Sequence, residues 1–469
     1  MTSKRIFLIL PSALILFATT SRAQNTPDAQ VWLTTVDRSA LLTRQPDALH
    51  FSDAKSDAPA IAVNDMQQYQ PIEGFGFALT GGSAQLLMKM TQERRGELLR
   101  QLFTTKEDGI GVSYLRVSIG SSDMNDHVYS YDDMPAGQTD PKLAKFSLAP
   151  DEATVIPVLK EILAIDPEVK ILGSPWSAPA WMKTNGAVKG GELKPEFYEA
   201  YAQYLTKYVQ GMKAEGINLT AITVENEPLN PKNTPSMAVF AQEEDELIAK
   251  HLGPAFEKAG IKTEIQVYDH NPDVISYPLS ILADAAASKY VAGTAFHLYG
   301  GDSNALTCVH NQYPNKNLYL TEQSVGGPPS ATYIDITEPV SRVLIGATRN
   351  WARNVLLWNL AADPHAGPHT NDGGCTECFG AITLDGDQAR FNEAYYALAH
   401  FSKFVPPGSM RIGSNQLEQL STVAFLTPDG KVVLVAVNTG NFLKTFQIEY
   451  HGRSATATLH PESAATYVW

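Results

Sequence analysis

The chain has 469 residues, of which 44% are hydrophobic and 18% are charged, the composition of an ordinary globular protein. Its formal net charge of −14 at pH 7 argues against a nucleic-acid partner, because proteins that bind phosphate backbones present basic patches. The length allows one large core with a satellite domain.

The first 23 residues have the pattern of a cleaved export signal. Lys4 and Arg5 precede the apolar run IFLILPSALILFA, and Ser21-Arg22-Ala23 fits a small-x-small cleavage site. A membrane anchor is the alternative, but the run is shorter than the roughly 20 residues that span a bilayer. Loss of the three basic residues brings the net charge to −17, which is −14 minus 3. We therefore expect a soluble protein exported to the periplasm or the cell exterior, without stable membrane insertion after cleavage.

Residues 24–69 contain strand-like segments, of which QVWLTTVDRSALLTR is the clearest. Between 70 and 395, short apolar runs alternate with segments of helical pattern. One such segment, TQERRGELLRQLF, begins at a capping Thr91, and another starts with a proline and ends at Gly216. The apolar runs number eight and are nearly continuous in hydrophobicity, as strands buried on both faces are: IEGFGFALT, GVSYLRVSI, VKILGSPWS, LTAITVENE, TEIQVYDH, VAGTAFHLY, NLYLTEQS and RNVLLWNL.

This alternation predicts an α/β fold, with a closed (β/α)8 TIM barrel over 70–395. An open doubly wound sheet is the alternative, but GFGFALTGG lacks the G-x-G-x-x-G spacing that opens a helix in such folds. Residues 396–469 instead alternate in twos and turn at Asp429-Gly430, which is a hairpin pattern. We expect a β-sandwich that flanks the barrel and is built from both chain termini, 24–69 and 396–469.

Two carboxylates stand where strands of the predicted barrel end. Glu227 follows the fourth apolar run, and Glu322 ends the seventh. Active sites of such barrels lie at the carboxyl ends of the strands, so both side chains can reach one central pocket. Two carboxylates about 5 Å apart across a sugar carry out retaining glycoside hydrolysis. Solvated loop carboxylates without a chemical role are the alternative interpretation.

The motif Glu225-Asn226-Glu227 leaves open which glutamate reacts. Alternation along a strand predicts that Glu225 and Glu227 point to one side and Asn226 to the other. Glu227 lies closer to the barrel mouth, and position therefore favours it. Aromatic side chains at strand ends also indicate a sugar, because flat rings stack on pyranose faces. These side chains are Trp176, His297, Tyr299 and Trp358.

The motifs that carry these residues resemble glycoside hydrolase family 30, and within it the glucosylceramidase-like enzymes. They occur in the family's order over about residues 70–410: GFGFALTGGSA, LRVSIGSSD, SPWSAPAWMKTNG, TVENEP, FHLYGGD, YLTEQSVGG, WNLAADPHAGP and HFSKFVPPGS. The resemblance implies a retaining, exo-acting β-glycosidase that hydrolyses β-glucosides, β-xylosides or β-fucosides through a covalent glycosyl-enzyme. An endo-β-1,6-glucanase of the same family is the alternative. Either reading implies a carbohydrate or glycolipid substrate, and no metal or organic cofactor.

The resemblance also implies roles for individual residues. Glu227 matches the acid/base and Glu322 the nucleophile, whereas Glu225 is structural. Asn226 matches the residue that binds the sugar's 2-hydroxyl, and Arg116 matches a position that helps keep the nucleophile ionised. Glu227 is then expected to hold its proton beside a charged Glu322. The other matched residues line the sugar-binding subsite: Asp123, Trp176, His297, Tyr299 and Trp358.

Two observations bear on the substrate and on activity. Leu298 stands where the mammalian lysosomal members of the family have Trp, which leaves a preference for a lipid aglycone open. A catalytically inactive carbohydrate-binding protein on the same scaffold is a further alternative. The presence of both Glu227 and Glu322 argues against it.

The segment HAGPHTNDGGCTEC allows three more interpretations. Its histidines and cysteines have a spacing similar to a zinc site, whereas an exported protein also permits a disulfide within CTEC or a simple pair of thiols. Three cysteines in total leave at least one thiol unpaired or paired between chains. The residues concerned are His365, His369, Cys375 and Cys378, with Cys308 elsewhere in the chain.

Overall fold

A computed structural model describes residues 27–54 and 56–469. The predicted export signal, residues 1–23, lies outside this described part. No helix in this described part is both long and apolar enough to cross a bilayer.

The eight apolar runs form a closed parallel barrel, which confirms the predicted fold class. The strands follow one another around the barrel in chain order, and the last pairs with the first through Asn354 opposite Gly74. Three strands precede the barrel: β1 (Gln30–Thr35), β2 (Thr43–Arg44) and β3 (Ala60–Pro71). The barrel strands are β4 (Gly74–Leu79), β5 (Tyr114–Ile119), β6 (Lys170–Pro175), β7 (Ala221–Thr223), β8 (Glu264–His270), β9 (Val291–His297), β10 (Asn317–Glu322) and β11 (Ala352–Leu357).

Helices cover the outside of the barrel. They are α1 (Gly81–Lys89), α2 (Gln92–Phe103), α3 (Val155–Ile165), α4 (Tyr198–Ala214), α5 (Ala241–Leu247), α6 (Gly253–Ala259), α7 (Ser276–Ala283), α8 (Ala285–Ser288), α9 (Asn304–Gln312), α10 (Gly346–Arg349) and α11 (Glu393–Ser402). Short 3-10 turns occupy Ala149–Asp151, Ala180–Met182, Pro195–Phe197 and Pro272–Val274, and π-helical segments occupy Ile248–Leu252 and Pro339–Ile345. Helix α4 ends near Gly216, whose φ of +84° suits a glycine at a helix end, as predicted.

Two further groups of strands follow the barrel. The loop after β11 contains a small sheet of β12 (Ala361–Ala362), β13 (Ile382–Asp385) and β14 (Gln388–Phe391). The C-terminal strands are β15 (Met410–Ser414), β16 (Leu420–Leu426), β17 (Val432–Asn438), β18 (Lys444–Tyr450), β19 (Arg453–Leu459) and β20 (Ser463–Val468).

The C-terminal strands and the first three strands share one hydrogen-bonded sheet. Its order is β19-β18-β3-β15-β16-β17-β20-β1-β2, so both chain termini build the sandwich domain as predicted. The predicted hairpin at Asp429-Gly430 joins β16 to β17, with Phe425 opposite Val433. Apolar side chains on one face of this sheet form a core of their own, whereas those on the other face, among them Phe425 and Val433, belong to the barrel core.

The structure divides the chain at different residues from those expected. β3 continues to Pro71, and α11 runs through the expected boundary between 395 and 396. This last helix packs against the barrel strand β4, so the barrel extends to Ser402 and the sandwich resumes at Met410. The difference arises because the long loop with β12 to β14 separates β11 from α11. The eighth helix of the barrel, α11, therefore comes later in the chain than expected.

Candidate active site

The barrel mouth brings Glu227 and Glu322 together. Glu322 is the last residue of β10, whereas Glu227 lies four residues beyond β7 with a φ of +46°, which is uncommon for a residue other than glycine. Backbone bonds hold this conformation: Asn226 N–H donates to the carbonyl of Pro175 at 2.7 Å, and Glu227 N–H donates to that of Asp269 at 3.0 Å. The loop that carries Glu227 is thus fixed to the ends of the third and fifth barrel strands.

Glu225 points away from Glu227, so the prediction from strand alternation is wrong. The chain leaves the strand at Thr223 and turns at Glu227, which places Asn226 and Glu227 together at the mouth. Glu225 instead lies beside Tyr201 and close to Lys183, beneath the site. Burial raises the pKa of Glu225 well above its usual range, although the Lys183 ammonium opposes this shift.

Arg116, on β5, is the buried cation of the site. Its guanidinium donates to Glu322 Oε2, to Asn226 Oδ1 at 2.7 Å and to Asp269 Oδ2 at 2.7 Å. Its charged face lies over the ring of Trp176, 4.7 Å from the ring centroid. Four contacts in different directions fix this side chain, which is fully buried.

Asp269 organises the floor of the site, and the sequence analysis missed it. Besides Arg116, it accepts hydrogen bonds from His297 Nε2 at 3.1 Å and from three hydroxyls. Tyr268 and Asp269 both have positive φ, and the pairing register shifts here, which turns this side chain into the barrel. Glu227 and Glu322 were chosen as acidic residues where predicted barrel strands end. Asp269, in the motif YDH at the end of the fifth apolar run, meets the same criterion. The hydroxyls belong to Ser174 (2.6 Å), Thr223 (2.9 Å) and Thr321 (2.6 Å).

His297 lies between carboxylates. Its Nδ1 is 3.0 Å from Glu227 Oε1 and its Nε2 is 3.1 Å from Asp269 Oδ1, while Glu322 Oε1 is 3.9 Å from Nδ1. Burial alone would lower the pKa of His297, but the negative charges of Glu322 and Asp269 and the hydrogen bond to Glu227 raise it to about 9. His297 is therefore the protonated member of this group in the resting enzyme.

The resting protonation order differs from the expected one. Burial opposes ionisation of Glu227, yet the hydrogen bond and charge of His297 lower its pKa to about 2. Burial raises the pKa of Glu322, although His297 and Arg116 act in the opposite direction. These pKa directions differ from the expected order, with a protonated Glu227 beside a charged Glu322, because His297 supplies a positive charge that the sequence analysis did not consider.

Tyr299 connects Glu322 to the rim of the mouth. Its hydroxyl donates to Glu322 Oε1 at 2.9 Å and accepts the Ser324 N–H at 3.0 Å. The residue as a whole is 45% exposed, so its ring presents a flat surface at the entrance. Such a ring can contact a sugar while its hydroxyl orients the carboxylate.

Asp123, Trp176 and Trp358 form one wall of the site. The two indole rings lie 5.5 Å apart, and the disulfide Cys375–Cys378 packs against them. Eight of the nine residues that the resemblance assigned to the site therefore lie at or just after the carboxyl ends of barrel strands, and Arg116 reaches Glu322 from the middle of β5. The cysteines of the alternative zinc site are bonded to each other, so neither can supply a thiolate.

Three groups at the mouth have the composition of a metal site. One ligand atom each of Glu227, His297 and Glu322 lies within 4.8 Å of the other two. Both ring nitrogens of His297 already have carboxylate partners, however, and Arg116 already supplies a positive charge at Glu322. These residues therefore fit a proton-transfer site better than a metal centre.

Comparison with known proteins agrees with this geometry. Residues 72–405 match the glycosyl hydrolase family 30 TIM-barrel domain, and residues 408–467 match the glycosyl hydrolase family 30 beta sandwich domain. The chain is 35% identical to endo-1,6-beta-D-glucanase neg1 of Aspergillus fumigatus, over 85% of each chain. It is 28% identical to the lysosomal acid glucosylceramidase of Mus musculus, over 87% of this chain and 83% of the mouse enzyme.

A solved structure shows the same arrangement of domains. The endo-beta1,6-glucanase BT3312 superimposes with a TM-score of 0.86 at 34% identity, over 95% of this chain and 99% of that one. The domain matches and these relatives place two carboxylates and their partners within a known scaffold for glycoside hydrolysis. This chain is a glycosidase and belongs to glycosyl hydrolase family 30.

Proposed function

We propose that this enzyme is an endo-acting β-1,6-glucanase that retains the anomeric configuration. The observation that supports this substrate is the 35% identity to an endo-1,6-glucanase, against 28% to a glucosylceramidase, over similar shares of the chain. This difference in identity favours the endo-β-1,6-glucanase over the exo-acting β-glucosidase that the motifs first indicated. An exo-acting, glucosylceramidase-like enzyme is the second candidate.

In the proposed mechanism, Glu322 is the nucleophile and Glu227 is the acid/base. One oxygen of each lies within 4.8 Å of the other, and retaining enzymes hold their carboxyl groups about 5 Å apart, too close for a water between them. Glu322 attacks the anomeric carbon, and the leaving oxygen takes a proton from Glu227 as its bond to carbon breaks. Water then gives a proton back to Glu227, and its oxygen displaces Glu322.

His297 supplies the proton that Glu227 donates. Their hydrogen bond is 3.0 Å long, and a single proton shared along it can reside on either group. As negative charge develops on the leaving oxygen, this proton moves from His297 Nδ1 to Glu227 Oε1 and then to the leaving oxygen. The low resting pKa of Glu227 is therefore compatible with an acid role, because its proton is one hydrogen bond away.

The proposed sugar contacts come from groups that the protein leaves incompletely paired. Arg116 donates a hydrogen bond to the side-chain oxygen Oδ1 of Asn226. The side-chain NH2 of Asn226 is therefore the group that donates to the 2-hydroxyl of the sugar. Asp123 Oδ1 is buried without a hydrogen-bond partner among the described residues. The rings of Tyr299, Trp176 and Trp358 supply the apolar surface around the sugar.

Product analysis tests this proposal. The purified enzyme is incubated with a β-1,6-glucan, an aryl β-glucoside and glucosylceramide. We expect a rapid fall in glucan chain length, early oligosaccharides of several lengths, and a β-anomer as the first product seen by NMR. Glucose as the only early product would support the exo-acting candidate, and an α-anomer would refute the assignment of Glu322.

We propose further that the protein is exported, as the basic and apolar pattern of its first 23 residues indicates. Mass spectrometry of protein from the periplasmic or extracellular fraction should find a chain that begins at Gln24. A chain in the cytoplasmic fraction that still begins at Met1 would contradict this.

A further inference from the structure

The loop that follows β11 holds Asp123 in place. Two of its backbone N–H groups donate to this residue: that of Thr370 to the carbonyl oxygen at 2.7 Å, and that of Cys375 to carboxylate Oδ2 at 3.0 Å. Gly374 lies so close that an added Cβ would be 2.9 Å from Asp123 Cβ. The orientation of the Asp123 carboxylate therefore depends on the turn at 374–378.

The same carboxylate has one oxygen free for a ligand. Asp123 is only 4% exposed, and its Oδ1 has no hydrogen-bond partner within the described part of the chain. A buried acceptor without a donor is costly, so a hydroxyl of the substrate is a fitting partner. Burial raises the pKa of Asp123 to about 7, and the negative charges of Glu322 and Glu227 add to this shift, so the carboxyl group lies within electrostatic range of the proposed reacting groups.

The disulfide adds a covalent restraint to the hydrogen bonds that hold this turn. Thr376 and Glu377, between the cysteines, are exposed. Asn359 Nδ2 donates to the Cys378 carbonyl at 3.2 Å, and the sulfurs pack on the Trp176 and Trp358 cluster. Closing so short a loop constrains little of the unfolded chain, so the bond acts mainly on the local geometry.

We propose that the Cys375–Cys378 disulfide is a positioning element for substrate binding, and that its reduction weakens binding of the sugar through Asp123. Reduction by a dithiol delivers two electrons and two protons, yields two thiols, and converts the dithiol to its own disulfide. The turn then relaxes, the Cys375 N–H moves away from Oδ2, and the carboxylate loses its fixed direction. This inference rests on the proposed function, which takes Asp123 as a sugar ligand.

The first test compares the Cys375→Ser/Cys378→Ser variant with the parent enzyme on an aryl β-glucoside. We expect KM to rise about tenfold, the order of effect that follows loss of a hydrogen bond to a charged group. The thermal midpoint should change little. Cys308→Ser is the matched control, because this exposed cysteine is free and remote from the turn, and its kinetics should equal those of the parent.

A double-mutant cycle distinguishes positioning from a general structural effect. Asp123→Ala should raise KM by itself, and loss of the disulfide from that variant should raise it no further. Additive effects would overturn the inference. If Asp123→Ala leaves KM unchanged, the proposed sugar contact fails instead; if Asp123→Ala raises KM but the cysteine variant does not, only the disulfide inference fails.

A second measurement applies if the cysteine variant does not fold. Folded parent enzyme is treated with dithiothreitol, and KM and far-UV circular dichroism are followed together. We expect KM to rise with an unchanged spectrum and to return on reoxidation, and Cys308→Ser to respond as the parent does. An unchanged KM with both thiols titratable would overturn the inference.

Discussion

Neighbouring residues of the motif Glu225-Asn226-Glu227 have different surroundings and should respond differently to substitution. Glu227→Gln removes the proposed acid, so kcat on substrates with poor leaving groups should fall by about 10²–10⁴-fold. Burial raises the pKa of Glu225, which lies beside Tyr201 and away from the proposed reacting groups, so the close isostere in Glu225→Gln should keep most activity. Steady-state kinetics with aryl glucosides of graded leaving-group pKa measure this. A leaving-group dependence that appears in Glu225→Gln alone would reverse the two assignments.

Asp269 provides a prediction about pH. Its negative charge helps to keep His297 protonated, so Asp269→Asn should lower the pKa of His297. The proton shared with Glu227 is then lost at lower pH, and the alkaline limb of the kcat/KM profile should move to lower pH.

Thr223→Val is the control for Asp269→Asn, because it removes one hydrogen bond to Asp269 and leaves its charge. The alkaline limb of the kcat/KM profile of Thr223→Val should lie at nearly the same pH as that of the parent enzyme. An unmoved limb in Asp269→Asn would exclude His297 as the group that titrates.

Residue types and positions at strand ends were enough to find Glu227, Glu322 and their aromatic surroundings. The protonation order could not be read in the same way, because it depends on which groups contact His297 across the barrel. Asp269 could have been named as a strand-end carboxylate, but its contacts could not be foreseen, since a positive φ and a register shift turn it inward. Local strain of this kind leaves no periodic pattern in a sequence.

At the scale of elements, helix α11 joins the barrel to the sandwich through His400. Its Nδ1–H donates to Thr466 Oγ1 on β20 at 2.8 Å, and Thr34 Oγ1 on β1 donates to its Nε2 at 2.9 Å. Burial lowers the pKa of His400 to about 3, which keeps it neutral. The neutral ring thus forms one hydrogen bond with a hydroxyl of β1 and one with a hydroxyl of β20.

This contact should make the enzyme less stable in acid. In the unfolded chain His400 takes up a proton as pH falls below about 6.5, whereas the folded protein takes it up only near pH 3. Its contribution to stability is therefore complete above pH 6.5 and lost between pH 6.5 and 3. Thermal midpoints measured from pH 7 to 4 should fall less steeply in His400→Gln than in the parent. Parallel curves would contradict this.

Elements were predictable where a hydrophobic period was continuous, as in all eight barrel strands and the hairpin at Asp429-Gly430. The domain boundaries could not be predicted in this way, because β3 and α11 belong to long segments that run from one domain into the other. The long loop after β11 had no period at all. The disulfide within CTEC was one of the alternatives that the sequence left open. The contacts of this loop with Asp123 arise from tertiary packing, which leaves no local pattern in a single sequence.

At the scale of the whole molecule, the two domains should unfold together. Phe75 of the barrel contacts Phe401 of α11 at 5.3 Å between ring centroids, and Phe425 of the sandwich lies 6.5 Å from Phe75. The sandwich also depends on strands from both sides of the barrel sequence. Differential scanning calorimetry should show a single transition, and Phe425→Ala should lower its midpoint without splitting it. Two resolved transitions in the parent would show that the domains are thermodynamically separate.

The pairing of β1 with β20 also affects how the chain can be reconnected. Gln30 lies opposite Val468 in an antiparallel ladder, so the outer ends of these strands are one strand spacing apart, about 5 Å. A short glycine-rich loop could join them, and the exposed turn at Asp429-Gly430 could be opened instead. Such a circular permutant would keep every strand pairing, while its new ends would lie at a hairpin far along the sequence from the reacting carboxylates.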